Sequence, residues 1–309
     1  MSRPLPGLRE TAALTRAATV ASVAVAVVLL AAKGAAWIAS GSVAVMASTA
    51  DSGLDLLAST VTFFAVRYAA APPDAEHRFG HGKAEAFASL LQAGLVFASA
   101  ALIAQEAVRH LVQSGPLAHE TWAVASMAVS IVLTAGLVGL QTRVLTRARS
   151  VAVSADRMHY LTDLASNVIA LVGVGAASLF RTPAIDAAGG LGVAAVLLWG
   201  AVSVFREAAD QLMDHELPDD DRAAIIELAR ADPQVVAVRN LRTRASGPIL
   251  HMQMHASLTP DLTLEAAHKV VVAAEGRILA RFPAADIIIH ADPHGRDEPH
   301  GGAFAQPRH

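Results

Sequence analysis

The sequence predicts a polytopic α-helical membrane protein with six transmembrane helices, followed by a small cytoplasmic α/β domain of order α-β-β-α-β. Three observations carry that expectation. Of 309 residues, 54% are hydrophobic and only 17% charged, and the mean hydropathy is +0.45; ordinary soluble proteins carry about a quarter charged residues. Charge-poor stretches close to the ~20 residues that cross a bilayer recur through the first two thirds of the chain. The composition then shifts. Residues 1–208 hold 14 Lys and Arg against 12 Asp and Glu, whereas residues 209–309 hold 10 against 15 and eight of the thirteen histidines.

Taken in order, the spans fall at about 16–39, 43–68, 86–108, 120–142, 156–180 and 184–205. Lys33 is the only charge inside the first. The second and fifth are weaker on a hydropathy scale because they carry ionisable groups. Arg3, Arg9 and Arg16 precede span one; Arg67, Arg78 and Lys83 border the 2–3 connection; Arg143, Arg147, Arg149 and Arg157 border the 4–5 connection. The opposite loops show only Arg109 and Arg181, an asymmetry that places both termini in the cytoplasm. The arginine-flanked apolar run at the N-terminus has no convincing cleavage site and is read as a retained span.

The final third reads as a separate domain. "LPDDDRAAIIELARAD" begins with acidic residues and is expected to be a capped helix. "VVAVRNLRTR" and "PILHMQMHASL" read as strands, the second with Leu250, Met252 and Met254 on one face and His251, Gln253 and His255 on the other. "TLEAAHKVVVAAEGRILARF" is an amphipathic helix and "ADIIIHAD" a short strand. The expected division is 1–208 for the membrane domain, 209–293 for the second domain, and 294–309 for a disordered His-containing tail. The absence of cysteine excludes disulfides and thiolate metal sites. No basic, aromatic-interleaved surface points to nucleic acid, and no nucleophile–base pair or phosphate-binding glycine loop points to an enzyme.

Chemistry concentrates in spans two and five. Asp51 and Asp55 are four residues apart and share a helix face; His159 and Asp163 repeat the spacing. A lone Asp or His near a span end is often a boundary residue or a helix contact. Four together are harder to dismiss, because an ionised Asp at mid-bilayer costs roughly 2.5–3.5 kcal/mol even on lenient scales. A bound dication compensates the carboxylates, and protonation does so in its absence, so metal and proton movement are linked. Three carboxylates and an imidazole suit a borderline ion such as Zn²⁺, while Cd²⁺, Fe²⁺, Co²⁺ and Mn²⁺ fit the same donors. An aspartyl protease would need only two facing carboxylates sharing a proton, leaving His159 and the third Asp surplus.

Several stretches spread from about residue 14 to 293 now combine: "MASTADSGLDLLAS", "PPDAEHRFGHGKAEAFASL", "SADRMHYLTDLASN", "LMDHELPDDDR", "LRTRASGP" and "RFPAADIIIHADP". In order and spacing they resemble the cation diffusion facilitator family, specifically its bacterial six-span zinc/iron/cadmium, ferrous-iron efflux-like branch. The resemblance implies a homodimer in the bacterial inner membrane that exports divalent cations in exchange for protons. It implies a transport site at Asp51, Asp55, His159 and Asp163, a loop site at Asp74, His77 and His81, and a regulatory metal site at His255, His268, His290 and Asp292 in the cytoplasmic domain. Where the family has a further histidine ligand two residues before "LRTR", this chain has Arg239, which cannot ligate a cation; one regulatory ion is expected to be lost or weakened. Lys83 and Asp214 match a charge pair of the family near the membrane surface, and His251 is left as a surface histidine. The alternative from another class is a membrane metal sensor or scaffold that moves no ions, which would not need three costly carboxylates in its spans.

Overall fold

The computed structural model describes residues 7–41, 43–112, 121–180 and 183–296. The expected tail therefore lies, from residue 297 onward, outside the described residues. The chain divides into two compact units, Arg9–Met213 and the part from Asp214 onward.

The first unit holds six long helices: α1 (Leu8–Ser40), α2 (Val43–Ala69), α3 (Ala84–Val112), α4 (Thr121–Leu145), α5 (Val151–Phe180) and α6 (Pro183–Leu212). Among the described residues, Leu8–Ala39, Ala84–Gln105 and Met127–Leu145 are long and apolar enough to cross a membrane by length and composition. The other three helices are of comparable length, 27, 30 and 30 residues.

The polarity of this unit is inverted relative to a water-soluble bundle. Thr11, Thr15, Thr19 and Ser22 of α1 are buried, while Leu57 and Phe64 of α2 and Trp199 of α6 are exposed. Two of the buried hydroxyls satisfy themselves on the preceding turn: Thr15 donates to the Thr11 carbonyl at 3.0 Å and Thr19 to the Thr15 carbonyl at 3.1 Å. α3 packs along α6, and α5 is flanked by α3, α4 and α6. Small side chains permit the close approach: Ala93, Ala155 and Val204 form one cluster with Met158 against it. At Gly200 an added Cβ would meet the Met158 sulfur at 2.6 Å, so the glycine makes room for the methionine between α5 and α6.

Two buried carboxylates tie α5 to its neighbours. Asp156, 0% exposed, accepts from Ser22 Oγ of α1 at 2.6 Å, Gln141 Nε2 of α4 at 2.8 Å and Gln92 Nε2 of α3 at 3.2 Å. Gln92 also reaches Thr62 of α2 at 2.9 Å, and the Tyr160 hydroxyl joins Ser59 of α2, at 2.7 Å, to the Ser22 carbonyl, at 3.2 Å. Five helices thus meet in one hydrogen-bonded network. At the start of α5, the buried Glu85 of α3 accepts from Ser150 Oγ at 2.6 Å and from the backbone amides of Val151 and Ala152. A carboxylate is favourable there because the first amides of a helix lack intrahelical partners.

The second unit follows the expected order: α7 (Asp219–Ala229), β1 (Val235–Ser246), β2 (Ile249–Leu258), α8 (Leu264–Arg281) and β3 (Ala285–Pro293). The sheet order is β1-β2-β3, antiparallel between β1 and β2 and parallel between β2 and β3, with α8 as the crossover. Leu250, Met252 and Met254 of β2 form a core with Ile225 of α7 and Ile278 and Phe282 at the end of α8.

Two expectations need correction here. Helix α7 has no side-chain cap: Pro218 occupies that position, and Asp219, Asp220 and Asp221 lie in the first turn, where they complement the helix dipole instead. Thr263 does cap α8, accepting from the Ala266 amide at 3.2 Å. His251 is not a surface residue. It is 7% exposed, and its Nδ1 lies 3.1 Å from Asp286 Oδ2 on β3, its register partner.

Candidate metal centres

In the first unit, α2 and α5 lie side by side with their acidic turns facing. His159 Nε2 of α5 is 3.1 Å from Asp55 Oδ1 of α2 and 3.7 Å from Asp163 Oδ2 on the next turn of its own helix. Ligand atoms of Asp55, His159 and Asp163 all fall within 4.8 Å of one another. Asp51, one turn along α2, lies outside that cluster but lines the same cavity of about 310 Å³, together with Asp55, Asp163, Lys33 and Ser48. Asp163 Oδ2, the atom that faces His159 Nε2, is buried without a hydrogen-bond partner. Buried polar atoms are ordinarily satisfied, so an orphaned carboxylate oxygen beside a cavity fits a site built for a cation.

The loop between α2 and α3 forms a second cluster from Asp74, His77 and His81, again within 4.8 Å. Its geometry begins with the backbone. Asp74 Oδ1 accepts from the His77 amide at 2.6 Å and the Glu76 amide at 2.9 Å, and Gly80, at φ 81°, turns the chain back toward α3. The amide of His77, reinforced by that of Glu76, holds the Asp74 carboxyl below the ordinary carboxylate value; the nearby imidazoles of His81 and His77 act in the same sense. His81 Nε2 lies 3.2 Å from Asp74 Oδ2, and its ring rests 4.4 Å from that of Tyr68 at the end of α2. Nearby, Lys83 donates to the Leu212 carbonyl at 3.3 Å.

In the second unit the parallel register builds a third cluster. His255 on β2 is paired with His290 on β3, and Asp292 follows two residues on, on the same face. His255 Nδ1 lies 2.9 Å from Asp292 Oδ2, and His290 Nε2 lies 3.2 Å from Asp292 Oδ1. His268 does not join them within 4.8 Å. It is exposed on α8, two residues from Val270, which packs in the core. At about 100° per residue, that offset turns His268 away from the sheet. Arg239 stands opposite His255 on the other flank, in the β1–β2 register, beside a bulge where Asn240 takes φ 50°. Asp214 pairs with Arg244 at 3.0 Å.

Sequence reasoning overlooked Asp156 and Glu85. Both sit at a span's edge in the sequence and read there as boundary charges. Gln92, Gln141, Ser22 and Thr62, isolated polar residues inside apolar stretches, were the available signal: each needs a buried partner.

The first unit matches the family model of the cation efflux transmembrane domain over residues 19–213, and the second that of the cation efflux protein cytoplasmic domain over residues 217–294. The cation-efflux pump FieF of Cronobacter sakazakii is 38% identical over 280 residues, covering 91% of this chain and 93% of that protein. The FieF pumps of Klebsiella pneumoniae and Escherichia fergusonii match to the same identity and coverage. With both units matched and the alignment running through nearly the whole chain, the protein belongs to the cation diffusion facilitator family: a membrane cation efflux transporter, and not an enzyme.

Proposed function

We propose that the chain exports a divalent cation, Zn²⁺ foremost, in exchange for protons across the bacterial inner membrane, and that it does so as a homodimer with both termini in the cytoplasm. Cd²⁺, Fe²⁺, Co²⁺ and Mn²⁺ are the other ions its donors accept. The reading rests on one observation above all: Asp55, His159 and Asp163 converge from two helices, and Asp55 and Asp163 line one cavity with Asp51. Asp51 completes the set as the fourth ligand, drawn in when the ion binds. One imidazole and three carboxylates match a borderline dication. Such ligands bind metal only when deprotonated, so loading expels protons and proton uptake expels the ion.

In this reading all six helices span the bilayer, residues 1–208 carry transport and residues 209–293 regulate it. The Asp74/His77/His81 cluster, open to solvent, loads and releases ions quickly. The His255/His290/Asp292 cluster, with His268 outside it and Arg239 beside it, holds a single regulatory ion. The loop-charge asymmetry supports the orientation, and the match to the family's cytoplasmic domain supports the dimer.

The test is metal-driven proton flux in proteoliposomes, with Zn²⁺, Cd²⁺, Fe²⁺ and Mn²⁺ compared and Asp55→Ala and His159→Ala beside the unaltered chain. Saturable, opposed movement of metal and protons, abolished by both substitutions, is the expected result. Flux indifferent to either ligand, or binding without flux, would overturn the mechanism.

A further inference from the structure

The intramembrane cavity contains a residue that a metal site has no evident reason to include. Lys33 of α1 lines it with Asp51, Asp55 and Asp163, and is itself only 6% exposed. A positive charge beside a cation site weakens binding, and a buried ammonium in an apolar helix is costly. A lysine that merely lies near a helix end would extend its head to water, whereas this one is turned inward. Among the described residues it makes no salt bridge either. Its hydrogen bond is a long one, 3.5 Å to the Ser48 carbonyl, one turn before Asp51 on α2. Its charge is felt by both Asp51 and Asp163.

We infer that Lys33 is a fixed cation that sets the charge of the transport site to that of one divalent ion, making it a determinant of affinity and of charge selectivity. The inference rests on the intramembrane site proposed above. With its ligands ready for metal, three carboxylates carry −3 and neutral His159 carries none; Lys33 brings the total to −2. One dication then makes the loaded site neutral. A loaded carrier must rearrange within a low-dielectric surround, where residual charge is penalised most heavily. Without Lys33 the dication-loaded site would retain −1, and a trivalent ion would become the neutral cargo. Lys33 therefore trades affinity for release and disfavours trivalent ions.

The experiment titrates Zn²⁺, and separately Tb³⁺, into the full-length chain in lipid nanodiscs, with Asp74→Ala and Asp292→Ala present to silence the other two clusters. Lys33→Met should bind Zn²⁺ about tenfold more tightly or better, and Tb³⁺ should gain by a larger factor still, because the lost repulsion scales with ion charge. Lys33→Arg, which keeps the charge, should stay near the parent. Lys33→Met with Asp51→Asn should move back toward it, because the pair restores −2. Zn²⁺ affinity unchanged or weakened in Lys33→Met overturns the inference, as does an equal shift in Lys33→Arg, which would make the effect one of packing. Lys33→Gln repeats the measurement if the methionine variant does not fold. Asp163→Ala separates the two levels: if it leaves Zn²⁺ binding intact in the same background, the site reading itself fails and takes this inference with it.

Discussion

Replacing Asp156 by alanine should destabilise the membrane unit without touching a metal ligand. The carboxylate accepts from Ser22, Gln141 and Gln92 on three different helices, at 2.6, 2.8 and 3.2 Å. Asp156→Ala leaves all three donors facing a cavity with no acceptor. Interhelical hydrogen bonds in membranes average about 0.6 kcal/mol and reach about 1.7, while a bond to a charged group in a protein is worth roughly 1.5–3 in all. Three of them, shared by one carboxylate, should cost about 3 kcal/mol. Asp156→Asn should cost about 1 kcal/mol, within the range of a single bond, for a reason visible in the neighbours: Gln92 Oε1 and Gln141 Oε1 are both buried without partners. Turning over one glutamine amide lets the new Asn amide donate to it and keeps the network closed. Reversible unfolding in mixed micelles, followed by helical circular dichroism, measures both. A loss below about 1 kcal/mol for the alanine variant, or equal losses for alanine and asparagine, would refute the view that this carboxylate organises the bundle.

Three further outcomes follow from the clusters. His268→Ala should leave metal binding by the cytoplasmic domain unchanged, while His255→Ala or His290→Ala should abolish it, since only the latter two share the Asp292 cluster; equilibrium dialysis of the full chain against Zn²⁺ decides. His251→Ala should lower the stability of the same domain by about 1–2 kcal/mol, through lost packing and the lost Asp286 partner, with no effect on that binding. At the loop, the Asp74 carboxyl is held below its ordinary value of 3.8, chiefly by the His77 amide. A folded value below the unfolded one means the turn's stabilisation is complete above 3.8 and fades only as the pH falls through the lower folded value. Amide exchange at Glu76 and His77 should therefore stay protected at pH 5, and Asp74→Ala should remove that protection at every pH.

The i,i+4 pairs in α2 and α5 were readable because a helix fixes which residues share a face: Asp55 with Asp51, His159 with Asp163. The strand alternation of β2 likewise gave the core face through Leu250, Met252 and Met254. What was not readable depends on register and rotation between elements. That Arg239 faces His255 follows from a bulged antiparallel ladder, and that His268 turns away follows from how α8 seats Val270 in the core. His251 shares the polar parity of its strand, yet it is buried and paired with Asp286 on the neighbouring strand. The Asp156 network escaped for the same reason. Its partners are scattered over Ser22, Thr62, Gln92 and Gln141, and no spacing along the chain links them.

The Glu85 anchor has a mechanical consequence. It grips the first amides of α5 from α3, so that end of α5 is a fixed foot, and any lean about it must carry the Asp156 network along. Asp163 stands twelve residues above Val151, about 18 Å along the axis at 1.5 Å per residue. A lean of about 10° about the foot swings Asp163 by about 3 Å over that lever arm, comparable with the 3.1 Å between His159 and Asp55 across the two helices. A modest tilt is thus enough to separate the α5 members of the candidate cluster from Asp55.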